Sequence, residues 1–304
     1  KQSPIAELAI PLPKIITLAQ DIDQEAAAFV QPFDLEQGPL IRAQWLVVSD
    51  QPQQSVLLFD MHHIVADGLS LNQFVQEFIA LYTSDAPLTP LSHRFSEFVS
   101  AEQQYLASEQ AQQDLNYWLE RFEGFEPSLN LPVDRSRPAR QDFSGDNLYF
   151  TLDAKQTEQL KRAAQQHKVS LFMWLFTHYS LLLHKLSGAT DMAIAVPSAG
   201  RHSDDFNHVI GMFANTTVMR QLVDPAASVS ELVDQTMLRF LTDMTLERYP
   251  FEAYLAHLPL EKDTSRNPLF DVMFIFEKAD DRVMQMEGLD IAPYHPPNAT
   301  APFD

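Results

Sequence analysis

Two adjacent histidines, followed by an aspartate and a glycine, are the residues in this chain whose types and spacing suit catalysis. His62 and His63 come at the end of an apolar run, and Asp67 and Gly68 follow after three intervening residues. Imidazole titrates near neutral pH and can accept a proton from an attacking nucleophile. A carboxylate can hold such a loop through charged hydrogen bonds, and a glycine lets the main chain approach a ligand closely. The segment therefore has the composition of a catalytic loop.

The same residue types also have an ordinary structural explanation. A histidine at the end of a strand is often held by hydrogen bonds within the protein, and an Asp-Gly pair often forms a turn. From the residues alone, the catalytic and the structural interpretation both stay open.

The apolar pattern around the histidines predicts a strand, a loop and a helix. Ser55–Met61 is a short apolar run typical of a buried strand. A helix is expected from Leu71, because apolar residues then recur every three or four positions, and Ser70 with Gln73 has the form of a capping box. A second helix is predicted from Phe95 to about Phe122.

A segment rich in proline, residues 123–140, is predicted to link an N-terminal lobe at 1–122 to a C-terminal lobe at 141–304. Beyond it, Ser170 is predicted to cap a largely buried helix. The predicted elements are helices at Ala154–Lys168, Leu171–Leu186 and Val229–Met244, and strands at Met192–Val196 and Leu269–Phe276. Helices and strands alternate in both halves, so the expected class is α/β.

The composition excludes several classes of protein. The 304 residues carry 41 acidic and 21 basic side chains, a formal charge of −20, which argues against binding to nucleic acid. The absence of cysteine excludes disulfides, thiolate metal ligands and a cysteine nucleophile in this sequence. No apolar run approaches the roughly 20 residues of a membrane-spanning helix.

No metal or nucleotide site is expected. His202, Asp204, Asp205 and His208 lie close together in the sequence, but their spacing follows no strict ligand pattern. Eight glycines in the whole chain form no phosphate-binding loop.

Several motifs in order resemble one family. The run HHIVADG, residues 62–68, matches the HHxxxDG signature of nonribosomal peptide synthetase condensation domains and the wider superfamily similar to chloramphenicol acetyltransferase. Gln31–Arg42 resembles the family's PFDLxxGPLxR motif, and Leu131–Pro138 resembles its LPxDRPRP motif. Ile210–Thr216 with Arg220 resembles IGxFVNT…R. Tyr249–Glu252 resembles YPFE, and Ser265–Phe270 resembles SRNPLF. Two motifs that precede the PFDL segment in the family are absent, and the final residues Pro302–Asp304 resemble the start of another family strand. The sequence is therefore expected to lack both ends of a family domain.

This resemblance implies two chloramphenicol-acetyltransferase-like lobes in a V-shaped pseudo-dimer. It implies that a donor acyl or peptidyl thioester is attacked by the α-amino group of an acceptor aminoacyl thioester. Both are carried on peptidyl carrier proteins, which deliver phosphopantetheine, and the domain itself is expected to bind no cofactor. A neighbouring adenylation domain and a cytoplasmic location are also expected, with neither nucleic acid nor membrane as a partner.

The resemblance also implies roles for the motif residues. His63 is expected to face the reacting atoms, and Gly68 either to present its amide to an oxyanion or to permit the turn. His62 and Asp67 are expected to support the loop. The family's corresponding aspartate pairs with an arginine, which is expected in the missing upstream segment, with Arg266 as the candidate within this sequence.

One site residue is expected from the second lobe. Asn215 lies in the segment that resembles IGxFVNT and is expected near the tunnel, with a role in packing as the alternative. Arg266 is otherwise expected to be structural. The YPFE segment is assigned to packing and left out of the site.

Related activities are separated by the motifs. The later motifs favour condensation over epimerization, and heterocyclization domains carry aspartates in place of the histidines. A stand-alone acyltransferase acting on free substrates and a catalytically silent recruitment module stay open as alternatives.

Overall fold

The computed structural model describes residues 9–260, 263–277 and 288–294, and it divides the chain into two compact units. Unit 1 contains residues up to 95, together with 205–213 and 288–294, and unit 2 contains the remaining described residues. The predicted linker, 123–140, therefore falls within unit 2. The lobe boundaries implied by the family stay a prediction.

Unit 1 is built on a three-stranded sheet in the order β1-β2-β3. Strand β1 is Lys14–Thr17, β2 is Ile41–Val48 and β3 is Ser55–Met61. β1 runs parallel to β2, and β3 antiparallel to it. Helix α1, Ile22–Phe29, follows a short 3₁₀ turn at Ala19–Asp21. The strand predicted at 55–61 is confirmed, but the expectation that it is buried is wrong, because all of its residues are half-buried or exposed.

Helix α2, Gly68–Thr83, packs on this sheet through its aromatic residues. The rings of Phe74 and Phe78 lie edge-on to Phe59 of β3, at 5.1 and 5.7 Å between centroids. The predicted capping box at Ser70 is wrong, because the helix begins at Gly68 with Asp67 as its N-cap. Both residue types cap helices well, so the sequence offered two possible starts three residues apart.

The single helix predicted from Phe95 to Phe122 is also wrong. The chain forms α3, Phe95–Leu106, and α4, Glu109–Arg121. The side chain of Ser108 caps α4 by accepting from the amide of Ala111, and a serine that bonds to nearby main chain in this way favours a helix end over a helix interior.

Unit 2 contains a second three-stranded sheet, in which β4, Asp191–Ser198, lies between β5, Asn215–Leu222, and β6, Val272–Met273. Apolar side chains cover both faces of this sheet. On one face, Ala195 packs in a cluster with Trp118 of α4. On the other, Ile194 packs in a cluster with Phe176. This burial explains the continuous apolar run in β4, since alternate side chains enter different cores. The remaining elements are α5 Ala154–Gln166, α6 Leu171–Ser187, a 3₁₀ turn Asp204–Phe206, α7 Val229–Met244 and α8 Phe251–Leu255.

Most predicted elements of the second half are confirmed, including the Ser170 cap, which accepts from the amide of Met173. The strand predicted at Leu269–Phe276 is much shorter, because only Val272 and Met273 pair with β4. Leu269 is fully buried without being part of a ladder, so its apolar character reflects the core and not a strand. No helix in the described part of the chain is long and apolar enough to cross a membrane.

Candidate active site

The loop between β3 and α2 carries the two histidines of the signature. β3 ends at Met61, and the amide of His62 donates to the carbonyl of Leu40 at 3.0 Å, which continues the pairing by one residue. The amide of Val65 then donates to the carbonyl of His62 at 3.0 Å and closes a tight turn. His63 is exposed at the tip of this turn, and no hydrogen bond to its ring is found within the described residues. Its imidazole is therefore accessible to a substrate.

The ring of His62 is held within unit 1. Its Nδ1 accepts a hydrogen bond from the amide of Ile64 at 3.1 Å, so a neutral ring carries its proton on Nε2. The ring of Phe33 lies edge-on to the His62 ring, with 5.9 Å between the two centroids. The guanidinium of Arg42 lies over the same Phe33 ring, 4.0 Å from its centroid. Arg42 in turn donates to Asp60 at 2.8 Å. These contacts support the structural interpretation of His62 and give the PFDLxxGPLxR-like segment a place beside it.

Asp67 is buried and joins three pieces of main chain. One carboxylate oxygen accepts from the amide of Ser70 at 2.8 Å, and the other accepts from the amide of Phe213 at 3.0 Å. The amide of Asp67 donates to the carbonyl of Gly211 at 3.2 Å. The carboxylate thus fixes the start of α2 to a segment almost 150 residues later in the sequence, as expected of a residue that fixes the loop.

Ser70 and Gly211 are support residues that sequence reasoning missed. The Ser70 hydroxyl donates to the carbonyl of Gly211 at 2.8 Å and accepts from its amide at 3.0 Å. A Cβ on Gly211 would lie 2.3 Å from the ring of Phe95, so this close approach requires glycine. Gly211 belongs to a segment that resembles a family motif, and Ser70 lies two residues after the HHIVADG run, but their contact spans 141 positions and leaves no local signal.

Gly68 is exposed and is the first residue of α2. Its φ lies outside the left-handed region, and a Cβ built on it would meet nothing within 4 Å. The turn itself therefore does not require glycine. The amides of a first helical turn lack acceptors within the helix, and none is found for the Gly68 amide among the described residues. This geometry favours the interpretation in which Gly68 keeps space and an amide open to a ligand.

Asn215 begins β5 in unit 2, where main-chain groups use its whole side-chain amide. Its Nδ2 donates to the carbonyls of Glu247 and Tyr249 at 2.7 and 3.1 Å. Its Oδ1 accepts from the amides of Thr216 and Phe251 at 2.9 and 3.2 Å. Two donors and two lone pairs are the full capacity of an amide. The arrangement favours the packing alternative over hydrogen bonding in a tunnel.

The loop held by Asn215 is partly buried. Tyr249 and Phe251 belong to the larger apolar cluster of unit 2, as expected for a segment assigned to packing. Burial raises the pKa of Glu247.

Arg266 forms ion pairs within unit 2. Its guanidinium lies 3.1 Å from the buried carboxylate of Asp271 and 3.4 Å from Asp263. Asp271 also accepts from the amide of Leu129, so this ion pair fixes the start of the proline-rich segment. The donors described for Asp67 are main-chain amides, and the pairing of Asp67 with Arg266 stays a prediction.

The histidines and aspartates near residue 205 show no metal-binding geometry. Among residues 9–260, 263–277 and 288–294, no group of three or more His, Asp or Glu side chains is placed to hold a metal ion. Burial is the main cause that lowers the pKa of His202, and the positive charge of the nearby Arg248 guanidinium lowers it further. His208 instead contacts Gln73 of α2, with 3.3 Å between its Nδ1 and the amide oxygen.

Comparison with known proteins gives a consistent result. The family model described as the condensation domain matches residues 7–304. Surfactin synthase subunit 1 of Bacillus subtilis (strain 168) is 34% identical over 285 residues, which are 94% of this chain and 8% of that protein. The chain spans about a tenth or less of the length of the first curated relatives it matches.

Two solved structures illustrate the shared fold. A four-domain nonribosomal peptide synthetase bound to AMP and glycine has a TM-score of 0.81 and 23% identity, covering 91% of this chain and 21% of that one. The complex of the X-domain and OxyB from teicoplanin biosynthesis has a TM-score of 0.79 and 22% identity, covering 88% of this chain and 60% of that one. The predicted α/β fold of the family is confirmed.

Proposed function

Because this chain belongs to the condensation-domain family, we propose that it joins a donor acyl or peptidyl thioester to the α-amino group of an acceptor aminoacyl thioester. The observation that carries the proposal is the contrast within the signature loop. His63 and Gly68 are exposed, while Asp67 between them is buried and bonded at both carboxylate oxygens. A reactive group on a loop fixed in this way is pre-organised for catalysis.

The chemical step is an aminolysis. The amine nitrogen attacks the thioester carbonyl, a C–N bond forms, and the carbonyl oxygen becomes an oxyanion. Collapse of the tetrahedral intermediate breaks the C–S bond and releases the donor thiol. The nitrogen loses one proton during the reaction, and the leaving sulfur accepts one, so a group that carries a proton between them balances the step.

His63 is the residue we assign to this proton. An α-amino group with a pKa of roughly 8 is already partly neutral at pH 7, so orientation of the amine contributes as well as proton removal. The imidazole accepts the proton as the nitrogen becomes acidic in the intermediate, which contributes on the order of 10²- to 10⁴-fold in rate. The open Gly68 amide supports a role as hydrogen-bond donor to the oxyanion.

The substrates are proposed to arrive on donor and acceptor carrier proteins. Their phosphopantetheine arms belong to the partners and carry the thioesters, so no resident cofactor takes part. The synthetases to which this chain is similar are many times longer than it, which supports an adenylation domain as a neighbour in the whole protein. Dependence on such carriers supports a cytoplasmic location.

A second candidate function is recruitment of another protein without catalysis. One solved structure with this fold is an X-domain in complex with OxyB, so a related fold serves as a binding partner there. The accessible His63 and the open space at Gly68 favour the catalytic proposal, because a recruitment module has no need of either.

The test compares two reactions of the full-length protein with a loaded donor carrier. In one reaction the acceptor amino acid is bound to an acceptor carrier, and in the other the same amino acid is free. We expect amide formation on the acceptor carrier, and much less on the free amino acid. Equal or faster reaction of the free amino acid would identify an acyltransferase of small substrates. Absence of transfer to either form, with the protein folded, would favour recruitment.

A further inference from the structure

An aliphatic residue follows each of the two exposed residues of the HHxxxDG signature, His63 and Gly68. Four of the seven residues 63–69 are exposed, and the three between them are buried or half-buried. The exposed residues form two pairs, His63 with Ile64 and Gly68 with Leu69. The aliphatic member of each pair is about half exposed, 42% for Ile64 and 49% for Leu69.

Ile64 occupies a turn position that seldom holds such a residue. It is the third residue of the turn closed by Val65 and His62, where glycine, asparagine, aspartate or serine is usual. Its amide donates to Nδ1 of His62, so its main chain cannot move without disturbing that ring. The main chain that carries this branched aliphatic group is therefore fixed at the residue after His63.

Leu69 is fixed in a comparable way at the start of α2. Asp67 and Ser70, on either side of Gly68 and Leu69, are hydrogen-bonded to each other and to the main chain of Gly211. Leu69 thus follows Gly68 on a first helical turn whose main chain is held on both sides. Its apolar surface contributes little to the core of unit 1, because half of it faces solvent.

A thioester held for aminolysis is also exposed to water. Attack by the amine forms a C–N bond and gives the amide, whereas attack by water forms a C–O bond and gives the free acid; both break the same C–S bond and release the same thiol. Apolar groups around the reacting carbon reduce the access of water to it. We propose that Ile64 and Leu69 are positioning residues that cover the thioester when substrates are bound and so favour amide formation over hydrolysis.

This inference rests on the proposed function and is tested by the ratio of hydrolysed donor to amide, measured by mass spectrometry of loaded carriers with the full-length protein. Ile64→Thr and Ile64→Val have the same shape, each one carbon shorter than isoleucine, and threonine has a hydroxyl where valine has a methyl group. We expect the ratio in Ile64→Thr to be about fivefold above that in Ile64→Val, the effect of losing one methyl group of apolar cover. The ratio in Ile64→Val should lie between those of wild type and Ile64→Thr.

Matched controls use exposed aliphatic residues elsewhere in unit 1. Ile16→Thr changes an isoleucine of β1 that is 72% exposed and is expected to leave the ratio unchanged. Leu69→Gln is compared with Leu81→Gln, which lies twelve residues, about 18 Å, further along the same helix. Only the change at Leu69 should increase hydrolysis.

The outcomes separate this inference from the proposed function. If wild type forms no amide from correctly loaded carriers, the proposed function fails and this inference with it. If wild type forms amide, and Ile64→Thr and Leu69→Gln melt normally with an unchanged ratio, this inference alone is overturned. An increase in both variants that is absent from both controls supports it.

Discussion

Two segments that match family motifs differ sharply in what their polar residues do. In the HHIVADG segment of unit 1, His63 and Gly68 are open to solvent, whereas the carboxylate of Asp67 between them is buried and bonded to main chain. In unit 2, Asn215 has all four hydrogen-bonding positions occupied by main chain. A motif match therefore covers residues that are open to a ligand and residues that main chain holds in place, and the hydrogen bonds of the folded protein tell them apart.

This contrast predicts that substitutions in the two segments affect different properties, the reaction rate in one and the stability in the other. Removing an exposed residue of the first segment should lower the reaction rate with little change in stability. Removing a saturated residue should lower stability, because the main-chain groups it served lose their partners within the protein.

The largest effect is expected for His63→Ala. Because the ring is exposed and holds nothing in place among the described residues, the free energy of unfolding should stay near that of wild type. The rate of amide formation should fall by about 100-fold or more, as expected when a group that handles a proton is lost. Single-turnover kinetics beside a thermal melt measure both. A variant that melts early would move His63 into the supporting class.

Asp67→Ala should produce the opposite pattern. The change removes a helix cap and leaves the buried amide of Phe213 unpaired, so we expect a loss of about 2–4 kcal/mol in the free energy of unfolding. Asp67→Asn, which keeps one acceptor oxygen, should lose less. Chemical denaturation of the three proteins checks the order, and identical midpoints would contradict the anchoring role.

Asn215→Ala should destabilise unit 2 by about 1–3 kcal/mol, because it frees the carbonyls of Glu247 and Tyr249 and the amide of Phe251. The reaction rate per folded molecule should stay close to that of wild type. Denaturation and single-turnover measurements on the same preparation test this pair of outcomes. Full stability with a large loss of rate would instead return Asn215 to the tunnel.

Gly68→Ala is the mildest change and tests whether a substrate uses the open space at Gly68. A Cβ fits without contact at this first helical position, so stability should be unchanged or slightly higher. If a substrate uses this space, the rate should fall by about tenfold, less than the roughly 10²- to 10³-fold lost with an oxyanion donor, because alanine keeps the amide. Gly211→Ala is the contrasting variant, since its Cβ would collide with Phe95 and reduce stability. An unchanged rate in Gly68→Ala would show that the reaction does not use this space.

Local sequence signals predicted much of this fold. The strand at Ser55–Met61, the helix at Val229–Met244 and the Ser170 cap follow from periodicity and from residues that satisfy free helix amides. These features depend on neighbours a few positions away, so a single sequence contains them.

Features that depend on distant contacts were not predictable in this way. Asp67 caps α2 in place of Ser70, and its second oxygen is bound to Phe213 far along the chain. Of the strand predicted at Leu269–Phe276, only the two residues that pair with β4 form a strand. For the site, the reactive candidates came from the signature, whereas the support by Ser70, Gly211 and Phe33 required the folded structure.

The most direct test of the central claim, that this chain joins two carrier-bound substrates, is intact-protein mass spectrometry. The full-length protein is mixed with a loaded donor carrier and a loaded acceptor carrier, and both carrier masses are followed with time. We predict that the acceptor gains the mass of the donor acyl group while the donor returns to its free-thiol mass. Persistence of both loaded masses with a folded protein would contradict the account.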